Sequence, residues 1–64
     1  MTQSLRDMVF ENLDNGLENE PDIVNWTVLD IAIDLTAYAA DLEDYKAMDL
    51  VPYVKEWLEA RRAK

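Results

Sequence analysis

Between Val24 and Tyr45 the large apolar side chains recur at alternating intervals of four and three: Val24, Val28, Ile31, Leu35, Tyr38, Leu42 and Tyr45. A strand would alternate every second residue, whereas this spacing keeps one face of an α-helix apolar. It predicts a long helix over 21–45. Pro21 suits the first turn, where a missing N–H loses no partner, and Asp22 favours the positive end of the helix dipole. Asn19 or Glu20 would cap it. A second set, Trp26, Leu29, Ile33 and Ala40, occupies another flank, and Ala32, Ala37 and Ala39 permit close helix approach. A helix apolar over most of its circumference is expected at the centre of a fold.

Two shorter helices would flank it. Ser4 can cap a helix over 5–15, with Asp7 completing an acidic form of the capping box. Leu5, Met8, Val9 and Leu13 make its apolar stripe, with Phe10 to one side, and Asn15-Gly16 reads as its stop. A third helix over 50–62 would start from Asp49 as cap, with Pro52 in its first turn. Leu50, Val51, Val54, Trp57 and Leu58 form its apolar face. Lys55, Arg61, Arg62 and Lys64 lie mostly toward its C-terminal end, where cations suit the dipole.

The lengths matter. At about 1.5 Å per residue the long helix would span roughly 37 Å and its neighbours roughly 17 to 20 Å each. Two short helices would cover one face of the long one and leave the other open. The expected fold is therefore all-α, a single three-helix domain over 1–64 with a long central helix, self-associating as a homodimer through Val24, Val28, Ile31, Leu35, Tyr38, Leu42 and Tyr45. Composition supports the need for a partner. A chain of 64 residues has a marginal core, and with no cysteine or histidine it has neither disulfides nor the usual zinc and iron ligands to reinforce it.

The same composition narrows function. Without histidine or cysteine, and with no hydroxyl beside an evident base, no enzymatic activity and no cofactor are expected. Placing Gly16 at the glycine of a calcium loop would put Glu11, Leu13, Asn15, Leu17, Asn19 and Asp22 at the ligand positions, and Leu13 cannot coordinate. The apolar stretch 23–40 is interrupted by Asp30 and Asp34, so no membrane span is expected. The N-terminal residues lack an apolar run, which reads as no signal peptide and a cytoplasmic protein.

Net charge is −8, and it is uneven: from Asp7 to Asp49 twelve acidic residues face the single cation Lys46. Such a surface repels phosphate, so direct nucleic-acid binding is not expected, while a basic protein surface would be attracted. On a continuous helix Asp30, Asp34, Asp41 and Asp44 would share an arc of about 80°. These four carboxylates, with Trp26 and Ile33 as neighbouring apolar anchors, are the candidate protein-binding residues. The expected function is a non-enzymatic acidic module that binds a protein partner. A row of carboxylates could instead imitate a nucleic-acid backbone and block a DNA- or RNA-binding protein. However, four charges over about 21 Å are far sparser than the one per about 1.7 Å of duplex DNA. A structural subunit of a larger assembly is the third possibility.

In size, acidity and helical simplicity the chain resembles the small accessory proteins encoded by bacteriophages, some of which inhibit host enzymes. The resemblance is one of composition, not of motif. It implies a place in a host cytoplasm and assigns no role to any residue.

Overall fold

The computed structural model describes residues 3–62. Its three helices are α1 (Leu5–Asn19), α2 (Val28–Tyr38) and α3 (Ala47–Arg62), with one 3₁₀ turn at Pro21–Asn25 and another at Ala40–Leu42. The all-α three-helix architecture is as the spacing predicts. The continuity of its middle segment is not.

Ser4 starts α1 as expected: its Oγ accepts the Asp7 N–H at 3.1 Å, satisfying a donor that has no partner inside the helix. The helix then runs through Gly16, which keeps ordinary negative φ. An extra turn brings Leu17 against the core one turn beyond buried Leu13, and that burial outweighs the roughly 1 kcal/mol that a helical glycine costs relative to alanine. The end of α1 is closed by the Glu20 N–H donating to the Gly16 carbonyl at 2.7 Å.

The segment 21–45 is not one helix. The 3₁₀ turn that starts at Pro21 ends in two extended residues, Trp26 and Thr27, with ψ near 159° and 156°. Thr27 then caps α2, its Oγ1 accepting the Asp30 N–H at 3.2 Å. At the other end Ala39 leaves helical geometry, and the chain folds back so that Leu42 becomes fully buried. An unbroken helix of roughly 37 Å would also exceed the longest dimension of the molecule, 31 Å. The expected long central helix is thus the shortest of the three, at 11 residues.

α3 begins three residues before Leu50, so Asp49 lies in its first turn rather than at its cap. Pro52 is the sixth residue of the helix and has no N–H for the Met48 carbonyl. Met48 is 80% exposed, so water reaches that end of the helix. The buried face of α3 is Leu50, Val54, Trp57 and Leu58, at helical spacing.

The core joins Val9 and Leu13 of α1, Ile31, Ala32 and Leu35 of α2, the α3 face, and Ile23 and Leu42 from the two 3₁₀ turns. Among the described residues no polar side chain is buried and no buried side-chain N or O atom lacks a partner. Arginines tie the edges. Arg6 forks onto both carboxylate oxygens of Glu56 and lies 4.3 Å from the centre of the Phe10 ring. That hydrogen bonding holds the Glu56 carboxyl below the usual carboxylate range and raises the Arg6 guanidinium. Arg61 stacks on Trp57 at 4.1 Å and pairs with Asp14, which also accepts the Trp57 indole N–H at 3.0 Å. Arg62 donates to the carbonyls of Val24 and Trp26, across the break that separates the first 3₁₀ turn from α2. The dipole of α3 therefore accounts for only part of what these two arginines do. Lys64 lies outside the described residues.

Candidate functional site

Helical geometry gives α2 an inner and an outer side. Ile31, Ala32 and Leu35 face the core. On the outer side Leu29, Ile33 and Ala37 succeed one another at intervals of four, within an arc of about 80°. Leu29 is 52% exposed and Ile33 50% exposed. Asp30 and Asp34 follow each of them by one residue, so an apolar ridge runs beside an acidic one. Asp30 is exposed and Asp34 is half-buried.

Trp26 stands at the N-terminal end of this ridge. It is half-buried against the core, its carbonyl held by Arg62, and with Asn25, Thr27 and Asp30 it lines an open hollow of about 460 Å³. It serves as both core anchor and surface wall. A second, smaller depression of about 320 Å³ lies between the last turns of α1 and α2, with Asn12, Gly16, Asn19, Asp34, Leu35, Tyr38 and Ala39 around it.

The structure brings together only part of the expected site. Asp30, Asp34, Trp26 and Ile33 share the outer region of α2. Asp41 does not join them: it sits in the second 3₁₀ turn and accepts the Asn12 amide N–H at 3.1 Å. Asp44 is exposed in the turn that precedes α3. The expected row of four carboxylates depended on a continuous helix, and the break at Ala39 divides it.

The self-association stripe is redistributed in the same way. Ile31, Leu35 and Leu42 are buried in the chain's own core, and Val24 and Val28 pack against it. Only Tyr38, 82% exposed, and Tyr45, 38% exposed, remain at the surface. The four–three spacing reports intrachain burial, and the premise of an uncovered long helix does not hold. Leu29, Asn12, Gly16 and Arg62 acquire roles that spacing alone did not assign. Among the described residues no helix is long and apolar enough to cross a membrane.

Comparison with protein-family models, with characterised proteins and with solved structures returns no match for this chain.

Proposed function

We propose that the protein is a non-enzymatic docking module that presents the outer face of α2 to a basic protein partner. One observation carries the reading. Leu29 and Ile33 lie one helical turn apart, half-exposed, beside Asp30, and the core that buries Ile31, Ala32 and Leu35 of the same helix leaves them out. Completing their burial would contribute on the order of 2 kcal/mol, at about 1.5–3 kcal/mol for a whole side chain. That falls short of micromolar affinity, which takes about 8 kcal/mol. The rest would come from charge and from the neighbouring surface. A patch of about 800 Å² is close to a fifth of the 4512 Å² the chain exposes. It would take in the Trp26 hollow at one end and Tyr38 at the other.

The net charge of −8 supports a basic partner. Arg6, Arg61 and Arg62 are already occupied within the fold, so they do little to offset the acidic surface of α2. Such a surface accelerates encounter with a positive one and loses that advantage in salt. Imitation of nucleic acid is less well supported, because it needs a regular row of carboxylates and Asp41 is turned to Asn12.

A photoreactive residue in place of Ile33, with Glu11 and Glu59 as control positions, tests the proposal in lysate of the source organism. The expected result is one discrete adduct to a basic protein from position 33 alone, weakened in salt and indifferent to added duplex DNA. Equal labelling from the control positions would refute it. Displacement by DNA would favour the nucleic-acid mimic instead.

A further inference from the structure

The depression between α1 and α2 is lined by a glycine that the fold does not require. Gly16 has ordinary helical geometry, so no turn demands it, and a Cβ built there would meet only Ile23 Cδ1, at 3.7 Å, an ordinary contact. A helical interior favours alanine over glycine. Gly16 contributes only backbone to the lining of the depression, so that another group can lie against it there.

The surrounding groups specify that group's chemistry. Asn12 donates its amide N–H to the Met8 carbonyl and to Asp41, and Asn19 donates its own to the Asn15 carbonyl, which leaves each with its acceptor oxygen. Asp34 contributes a half-buried carboxylate that receives no hydrogen bond from the described residues. The depression is also lined by the last turns of α1 and α2, and neither carries a basic residue to offset its negative dipole end. The polar part of the lining is thus rich in acceptors and negative potential, beside the apolar Leu35 and Ala39.

A ligand made only of donors, and positively charged, fits. Among the described residues no three carboxylates gather here to neutralise a divalent cation, and the amide oxygens carry no charge to do so. A guanidinium is flat, offers five N–H donors and stacks on aromatic rings. The ring of Tyr38 stands exposed at the rim. The fold already uses the same combination internally, where Arg61 stacks on Trp57 and pairs with Asp14. We infer that the groove over Gly16 receives an arginine side chain of the partner protein, paired with Asp34 and stacked on Tyr38. This deepens the docking function proposed above and rests on it for the source of the arginine.

The test is a titration of the ¹⁵N-labelled protein with acetyl-arginine amide, with acetyl-lysine amide and acetyl-citrulline amide as controls. Amide shifts are expected at Gly16, Asn19 and Tyr38, weaker with lysine and absent with neutral citrulline. Asp34→Asn is expected to weaken arginine binding about tenfold. Gly16→Ala is expected to abolish the shifts while raising the melting temperature by several degrees, which separates loss of the site from loss of the fold. Arginine binding that survives Gly16→Ala, or shifts scattered over the whole acidic surface, would overturn the inference. Failure here with discrete labelling from position 33 would leave the docking face standing. Arginine binding without that labelling would instead remove the docking face and keep the groove.

Discussion

Thr27→Ala separates the two ways of folding residues 21–45 by the sign of its effect. In a continuous helix Thr27 would be an interior, solvent-facing residue, and alanine would stabilise by about 0.5 kcal/mol through helix propensity. In the structure Thr27 is an exposed N-cap whose Oγ1 accepts the Asp30 N–H at 3.2 Å. Alanine then removes the cap and should destabilise by about 1 kcal/mol. Exposure of the side chain means that no cavity forms to confuse the result. A domain of this size has a total stability of roughly 3–10 kcal/mol, so the loss is readily measured. In a small domain it corresponds to a fall in Tm of about 4–8 °C. Urea and thermal unfolding followed by circular dichroism at 222 nm would read it, with Thr27→Ser as the variant that keeps the hydroxyl. A rise in stability in Thr27→Ala, or an equal loss in Thr27→Ser, would refute the capping account and reinstate the long helix.

Other substitutions probe the edges of the fold. Arg62→Gln should cost about 1 kcal/mol through the lost hydrogen bonds to the Val24 and Trp26 carbonyls, and Arg62→Lys should recover only part of it. Full recovery by lysine in urea titrations would mean that charge at the helix end is all that matters. Hydrogen bonding to Arg6 lowers the folded-state pKa of Glu56, so its contribution is present above the unfolded carboxylate pKa and is lost as pH falls through the folded value. The stability difference between the wild type and Glu56→Gln should therefore be steady above about pH 5.5 and shrink below about pH 4. A difference that grows on acidification would contradict the pairing. With twelve acidic residues between Asp7 and Asp49, added salt should raise the Tm by screening their repulsion. A Tm that falls in salt would show that the ion pairs outweigh that repulsion.

Much of the fold is written in the apolar spacing, which encodes burial but not helix continuity. Burial was legible at Ile31, Leu35 and Leu42 because each falls on the four–three repeat. Continuity was not, because a 3₁₀ turn and two extended residues carry Val24 and Val28 to the same core that an unbroken helix would. A signal did exist. Thr27-Val28-Leu29-Asp30 has the same pattern as Ser4-Leu5-Arg6-Asp7, which correctly marked the start of α1, and it was hidden by lying inside an apolar run. The end of α2 had no such signal. Tyr38-Ala39-Ala40 contains neither glycine nor proline, and the helix stops because Leu42 must reach the core and Asn12 holds Asp41. Gly16 misled in the opposite direction, since a glycine is permitted inside a helix when burial beyond it offsets the cost.

The candidate site shows the same division. Asp30, Asp34 and Ile33 are neighbours on any helix that contains them, so their grouping survives the break. Asp41 and Asp44 belonged to the group only through the continuity of the helix. The role of Arg62 is tertiary, and so is the acceptor-rich lining of the groove. Both depend on which loops and helices meet, and periodicity does not encode that.

Absolute mass in solution, by light scattering at low and high salt, tests most directly whether the apolar repeat is consumed by one chain, leaving the outer face of α2 for a partner. A single species of 7.4 kDa is expected under both conditions. A stable species of twice that mass, persisting in high salt, would place the repeat between two copies and contradict it.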